Sequence, residues 1–214
     1  RVSGVTRSQA AEIQKLNGRS VYGGTPTDQS IVEAITALKS AGKDVTFYPF
    51  ILMDQLPGNT LPDPWTGTIG QPALPWRGRI TLNHAPGQPS SADATAAADS
   101  EVAAFFGTCQ PSDFSLVNQK VTYTGPQEWS YRRFILHYAH LCKAVGGVAA
   151  FCIGSEMRSL TQVRGTNNSF TAVQALRVLA AEVKAILGPQ TQITYAADWS
   201  EYSGYHVGDD TLFH

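Results

Sequence analysis

Three carboxylates in this chain stand directly behind apolar runs, and that placement is the strongest sign of chemistry in the sequence. Glu156 closes Gly147-Val-Ala-Ala-Phe-Cys-Ile-Gly-Ser-Glu156, Asp54 closes Val45-Thr-Phe-Tyr-Pro-Phe-Ile-Leu-Met-Asp54, and Asp198 closes Gln192-Ile-Thr-Tyr-Ala-Ala-Asp198. A short apolar run set between helical patterns reads as a parallel strand buried on both faces. Sites in α/β proteins are built from the carboxyl ends of such strands, so three acids at three tips are expected to converge on one cleft. Paired carboxyl groups suit hydrolysis of a glycosidic bond, where one protonates the leaving oxygen and the other attacks or activates water. Glu156 fits the acid, because an apolar strand end would desolvate it, and the Ser155 hydroxyl beside it is placed to bond a neighbouring group. The alternative is a carboxylate that caps the following turn or pairs with Arg158. Asp54 and Asp198 are candidates for positioning substrate, or equally for salt bridges to loop arginines, and Glu201 reads as solvated.

A long stretch over 55–91 is rich in Pro and Gly and has neither helical nor strand period. A loop of that length inside a compact domain is usually functional or disordered, and Trp65, Trp76, Arg77 and Arg79 argue for the first. Following a strand tip, it is expected to lie over the same face as Asp54, where aromatic planes stack on sugar rings and Arg forks hold oxyanions. Equally, both tryptophans would simply pin the loop to the rim of the fold. Trp76, Arg77, Arg79, Ser155 and Trp199 therefore join Asp54 and Asp198 as candidate substrate contacts. No Gly-x-Ser-x-Gly elbow or Cys-His arrangement competes for acyl-transfer chemistry.

The elements that must position these residues alternate between helix and strand. Thr25-Pro-Thr-Asp28 predicts a helix start with Thr25 as N-cap, an apolar face of Ile31, Ala34, Ile35 and Leu38, and Gly42 as the stop. Further helices are expected over 91–106 and from Pro126 to Gly146-Gly147, the latter with Phe134, Tyr138, Leu141 and Val145 inward. Another is expected from a Ser169 cap to Gly188, with Val173, Leu176, Ala180, Val183 and Leu187 inward. Lys120-Val-Thr-Tyr-Thr124 reads as a hairpin strand outside the main sheet, 158–168 as a polar loop, and 8–16 as a short helix using Ala11, Ile13 and Leu16. Alternation of this kind points to a parallel α/β layer. A (β/α)8 TIM barrel typically needs about 250 residues and eight strands, whereas three are evident, so an incomplete barrel is expected. A doubly wound sheet is the alternative, weakened by the lack of a GxGxxG or P-loop.

With 214 residues, 43% hydrophobic and 15% charged, the chain is long enough for a real core and fits one domain over 1–214. A net charge of -1 with scattered Lys and Arg gives no footprint for nucleic acid or an anionic membrane. No apolar stretch approaches the roughly 20 residues of a membrane span, and no signal peptide is visible at residues 1–7. Cys109, Cys142 and Cys152 are too few for a disulfide framework and read as buried thiols, with a Cys142–Cys152 bridge as the alternative. His137 and His140 are three apart on one helix, but nothing nearby completes a metal set, and no cofactor is expected.

Six motifs in one register carry a resemblance: Val21-Tyr-Gly-Gly-Thr-Pro-Thr-Asp28, Phe47-Tyr-Pro-Phe-Ile-Leu-Met-Asp54, Pro75-Trp-Arg-Gly-Arg-Ile80, Tyr131-Arg-Arg-Phe-Ile-Leu-His-Tyr-Ala-His-Leu141, Ile153-Gly-Ser-Glu-Met157 and Tyr195-Ala-Ala-Asp-Trp-Ser-Glu-Tyr202. Together they resemble the glycoside-hydrolase TIM-barrel-like domain of the large "megatron" tail-tip protein of gene transfer agents and siphophage-type tails. The resemblance implies a longer parent protein, with this chain holding the barrel from the helix before strand three to the loop after strand five. It also implies a place at the tail tip of a virion or phage-like particle, among other tail-tip and baseplate proteins, acting on cell-surface glycan. More distantly, the pattern is similar to clan A retaining glycosidases of the β-mannanase type. Their strand-four acid/base maps onto Glu156, while their nucleophile, a Glu on strand seven, lies outside this chain. Two departures stand out: Ser155 where the clan has Asn, and Tyr48-Pro49-Phe50 where the mannanase relatives have Lys-Pro-His. The resemblance thus supports three readings, a hydrolase, a glycan-binding module and a catalytically silent barrel of the tail hub.

Overall fold

The computed structural model describes residues 14–21 and 26–202, with the backbone at 206–207 and 210–211. In chain order its elements are β1 (Lys15–Leu16), β2 (Arg19–Ser20), α1 (Asp28–Ser40), β3 (Thr46–Phe47), α2 (Ala96–Phe106), β4 (Phe114–Val117), β5 (Lys120–Tyr123), α3 (Tyr131–Ala144), β6 (Ala150–Ser155), α4 (Arg158–Thr161), α5 (Thr171–Leu187), β7 (Gln192–Ala196), α6 (Trp199–Tyr202), β8 (His206–Val207) and β9 (Asp210–Thr211).

The centre is a parallel sheet in the order β3-β6-β7. Neighbours in space follow one another in sequence, each pair joined through helices, as in the wall of a barrel or in one half of a doubly wound sheet. Three strands form this layer, and no closed barrel is present among the described residues. From Phe151 to Ser155, β6 is buried throughout, which explains its unbroken apolar run. α3 and α5 cover it, with Ile135, Leu136, Ala139, Leu179 and Val183 in the shared core. Most of α3 is buried, Arg132 included, so its polar groups need partners: Arg132 donates to the Cys109 carbonyl at 3.0 Å and pairs with Glu182 at 2.8 Å. The N-terminal ends of the strands are tied by lysines. Lys39 donates to the carbonyls of Val145, Gly146 and Gly147 at 2.7–3.0 Å, and Lys184 to those of Pro189 and Thr191.

Several local expectations need correction. Thr25 and most of the expected 8–16 helix lie outside the described residues; Leu16 stands in the exposed β1–β2 hairpin. The cap of α1 is Thr27, whose hydroxyl accepts from the Ser30 amide at 3.2 Å, so Pro26 precedes the cap instead of opening the helix. α2 begins at its Thr95 cap and α3 at its Ser130 cap, each several residues late, and Ser169 does not cap α5. The predicted strand over 45–54 shrinks to Thr46–Phe47: Pro49 has no N–H to give a ladder, and Tyr48, Phe50 and Leu52 end up exposed. The hairpin expected at Lys120 is present as β4–β5, outside the main sheet. All three cysteines are free and buried, without a Cys142–Cys152 bridge, and burial pushes the Cys109 and Cys142 thiols up to about 12.

Candidate functional site at the strand tips

β6 and β7 run in register from Ala150 opposite Gln192, then slip by one residue between Cys152 and Ser155, which lies opposite Ala196. The extra residue is a bulge, a device that re-aims side chains at sheet ends. Gly154 sits in it against the Tyr195 ring, where a Cβ would come within 3.0 Å of ring carbons. Beyond the bulge Glu156 takes a left-handed backbone, φ 51°, and its amide donates to the Ala196 carbonyl at 2.9 Å. A non-glycine residue there carries roughly 1–3 kcal/mol of local strain, which surrounding structure must over-determine.

The long loop reaches back to this tip. Trp76 Nε1 donates to Glu156 Oε2 at 2.8 Å, and Arg77 Nη2 meets the same oxygen at 2.7 Å. Arg77 also donates to the Ser155 hydroxyl from Nη2 at 3.0 Å and to the Ser155 carbonyl from Nε at 3.2 Å. Its guanidinium lies over the Phe50 ring, 4.8 Å from the centroid. The Tyr48 hydroxyl closes the set with a short hydrogen bond to the Ser155 hydroxyl. Gly78 explains the Trp-Arg-Gly order, since a Cβ there would run into the Trp76 ring folded back over it. Among the described residues no donor reaches Glu156 Oε1, and the Glu156 side chain is 32% exposed. The carboxylate thus lies against an ion pair and an indole N–H, not in the apolar pocket expected from its strand, and its cation is Arg77 instead of Arg158.

The other two acids are placed differently. Asp54 lies in irregular chain well past β3, where it accepts from the Gln14 amide at 3.4 Å; the residue that follows β3 is Tyr48. Asp198 caps α6, accepting from the Ser200 amide at 3.0 Å and from the Ser200 hydroxyl, and those bonds hold its carboxyl below the ordinary range. Glu201, read as solvated, instead returns to the Asp198 amide at 2.8 Å and accepts from Tyr195 Oη at 3.0 Å and Thr161 Oγ1 at 3.2 Å. Asp198-x-x-Glu201 is a capping-box pattern, a signal present in the sequence. Arg79 pairs with Asp63 at 3.3 Å and lies over Trp65, whose indole donates to the Arg79 carbonyl. Trp65 is therefore the tryptophan that pins the loop, and Trp76 the one that touches the carboxylate. Trp199 is 83% exposed. The residues missed from sequence are Tyr48 and Tyr195. His137 pairs with Asp28 and His140 is buried against Phe114; no metal-binding group of three or more His, Cys, Asp or Glu occurs among the described residues.

A parallel, sequentially ordered strand layer with its polar cluster at the carboxyl ends is the arrangement found in the wall of a TIM barrel. In agreement with it, residues 129–214, from just ahead of α3 through β6, Glu156 and β7, match the family described as the GTA TIM-barrel-like domain, which links this part of the chain to gene transfer agents. No curated protein matches the chain.

Proposed function

We propose that this chain is the glycan-facing part of a glycoside-hydrolase-like barrel domain in the tail tip of a gene transfer agent or related phage-like particle, with Glu156 as its acid/base carboxylate. One observation carries this reading: Glu156 stands at the tip of the central parallel strand with Oε2 held by Trp76 and Arg77 and with no donor on Oε1 among the described residues. Exposed aromatic side chains at Tyr48, Phe50, Trp76 and Trp199 supply planes on which sugar rings stack. Glu201 spends its oxygens on Asp198, Tyr195 and Thr161, and Asp198 turns its Oδ2 back to cap α6, so the second carboxyl group comes from a strand beyond the described layer. In a retaining enzyme it sits about 5–5.5 Å from Glu156. The open edges of β3 and β7 are where the rest of a longer chain pairs, and neighbouring tail-tip and baseplate proteins are its other partners.

A second reading, glycan binding without cleavage, is favoured by the 2.7 Å contact between Arg77 and Glu156, which occupies the carboxylate. The test uses the full-length protein on a panel of bacterial envelope polysaccharides, following reducing-end release and binding. Glu156→Gln is expected to lower cleavage by about 10²–10⁴-fold with binding retained. Binding by the wild type without any cleavage establishes the second reading, and neither binding nor cleavage defeats both.

A further inference from the structure

The structure assigns a positioning role to Tyr195: held by Glu201, it fixes the left-handed backbone at Glu156 and so sets the carboxylate between Trp76 and Arg77. This rests on reading Glu156 as the working carboxylate. A backbone at φ 51° reverts to an ordinary conformation unless the peptides on both sides are tied down. Both are. The Glu156 amide donates to the Ala196 carbonyl at 2.9 Å, and the next amide, Met157, donates to Tyr195 Oη at 2.7 Å. Oη has one proton; accepting from Met157, it gives that proton to Glu201, 3.0 Å away. The direction is set from the far end, because a carboxylate only accepts, and Glu201 also takes bonds from the Asp198 amide and Thr161 Oγ1. Glu201 thereby ties α4 and α6 around the Glu156–Met157 peptide. Burial, with Glu201 adding to it, raises the Tyr195 phenol far above its ordinary value, which keeps the required proton in place. The ring has its own seat against Gly154 in the β6 bulge. The hydroxyl can therefore be removed without disturbing the ring's packing.

Tyr195→Phe in ¹⁵N-labelled protein separates positioning from simple packing. Two signals are read: exchange of the Met157 amide, and the Trp76 indole N–H resonance, assigned by its loss in Trp76→Phe. In Tyr195→Phe, Met157 exchange is expected to speed up on the order of tenfold, the equivalent of one lost buried hydrogen bond. The Trp76 indole proton is expected to move upfield as Glu156 Oε2 withdraws, while the α5 core amides keep their protection. Glu201→Gln, a weaker acceptor of the same shape, is expected to shift both signals the same way by less, and it decides the matter should Tyr195→Phe not fold. Faster Met157 exchange with an unmoved Trp76 resonance, or no change in either signal, overturns the assignment. Since neither readout depends on turnover, the outcome is separate from that of the functional reading. Cleavage that survives Glu156→Gln defeats the function, and an unmoved indole defeats the positioning.

Discussion

Two glutamates in this molecule are held in opposite ways. Glu128, in the connection ahead of α3, is filled mostly by the turn after α2: the Thr108 amide reaches both of its oxygens at 3.0 Å, the Cys109 amide donates at 3.1 Å, and the Thr108 and Ser130 hydroxyls add bonds at 2.8 and 2.7 Å. Gly107 makes room for this clasp at φ 81°, since a Cβ there would collide with Glu128 and Ser130. Among the described residues Glu156 takes side-chain donors on one oxygen only, from a loop about 80 residues away, while its own backbone is strained. Backbone amides that saturate a carboxylate bind chain to chain. Distant side chains that hold one oxygen and leave the other open are what a site exposed to a ligand requires.

The sharpest test of that contrast is stability. Glu128→Ala is expected to lower the unfolding free energy by about 1–3 kcal/mol in urea titration, because two amides and two hydroxyls lose a charged acceptor. Glu156→Gly is expected to lose nothing and to gain up to about 1 kcal/mol: relief of the left-handed strain outweighs glycine's entropy and a partly exposed ion pair. A Glu156→Gly protein as destabilised as Glu128→Ala would make Glu156 a structural clasp too and break the comparison.

The same contrast has a pH signature. Burial works against the charge of Glu128, yet the bonds from Ser130, Thr108 and Cys109 win and bring its carboxyl from an ordinary 4.5 down to about 2. A group lowered on folding contributes stability that is fully present above its unfolded value and is lost as pH falls through its folded value. The deficit of Glu128→Gln relative to wild type is thus expected to hold constant above about pH 5 and to shrink towards pH 2, read as denaturation midpoints at each pH. A deficit that persists at pH 2 would mean that lost packing, not the charged acceptor, causes it.

The central strand was legible because its burial leaves no polar interruption between Gly147 and Gly154, and Glu156 follows at once. The helix order and the separate hairpin were legible for the same reason, period and punctuation agreeing with burial. Asp54 was not: Tyr48, Phe50 and Leu52 look like a buried run, but Pro49 breaks the ladder and the side chains turn outward over the site. Nor could spacing show that Arg77 would cross to Ser155 and Glu156, a contact that only the folded loop makes. The bonding of Asp198 and Glu201 was not legible from strand-tip position, because the Asp-x-x-Glu helix-start pattern is satisfied by local hydrogen bonds in the first turn of α6.

Asp198 supplies the smallest effect and the last check. Its Oδ2 takes both the amide and the hydroxyl of Ser200 in the first turn of a four-residue helix, donors two residues away, so it belongs with the clasps that hold chain to chain. Asp198→Asn keeps a cap of nearly equal strength, and Asp198→Ala is expected to lose about 0.5–1 kcal/mol, read as faster exchange of the Ser200 amide. Neither substitution is expected to change glycan affinity in the full-length protein more than about twofold, since the Tyr195–Glu201 bonds remain. A tenfold loss of affinity in Asp198→Asn, with Ser200 exchange unchanged, would put this carboxylate on the ligand. The three strand-following acids would then include a second working member, and position at the strand end would outrank local bonding as the guide to function.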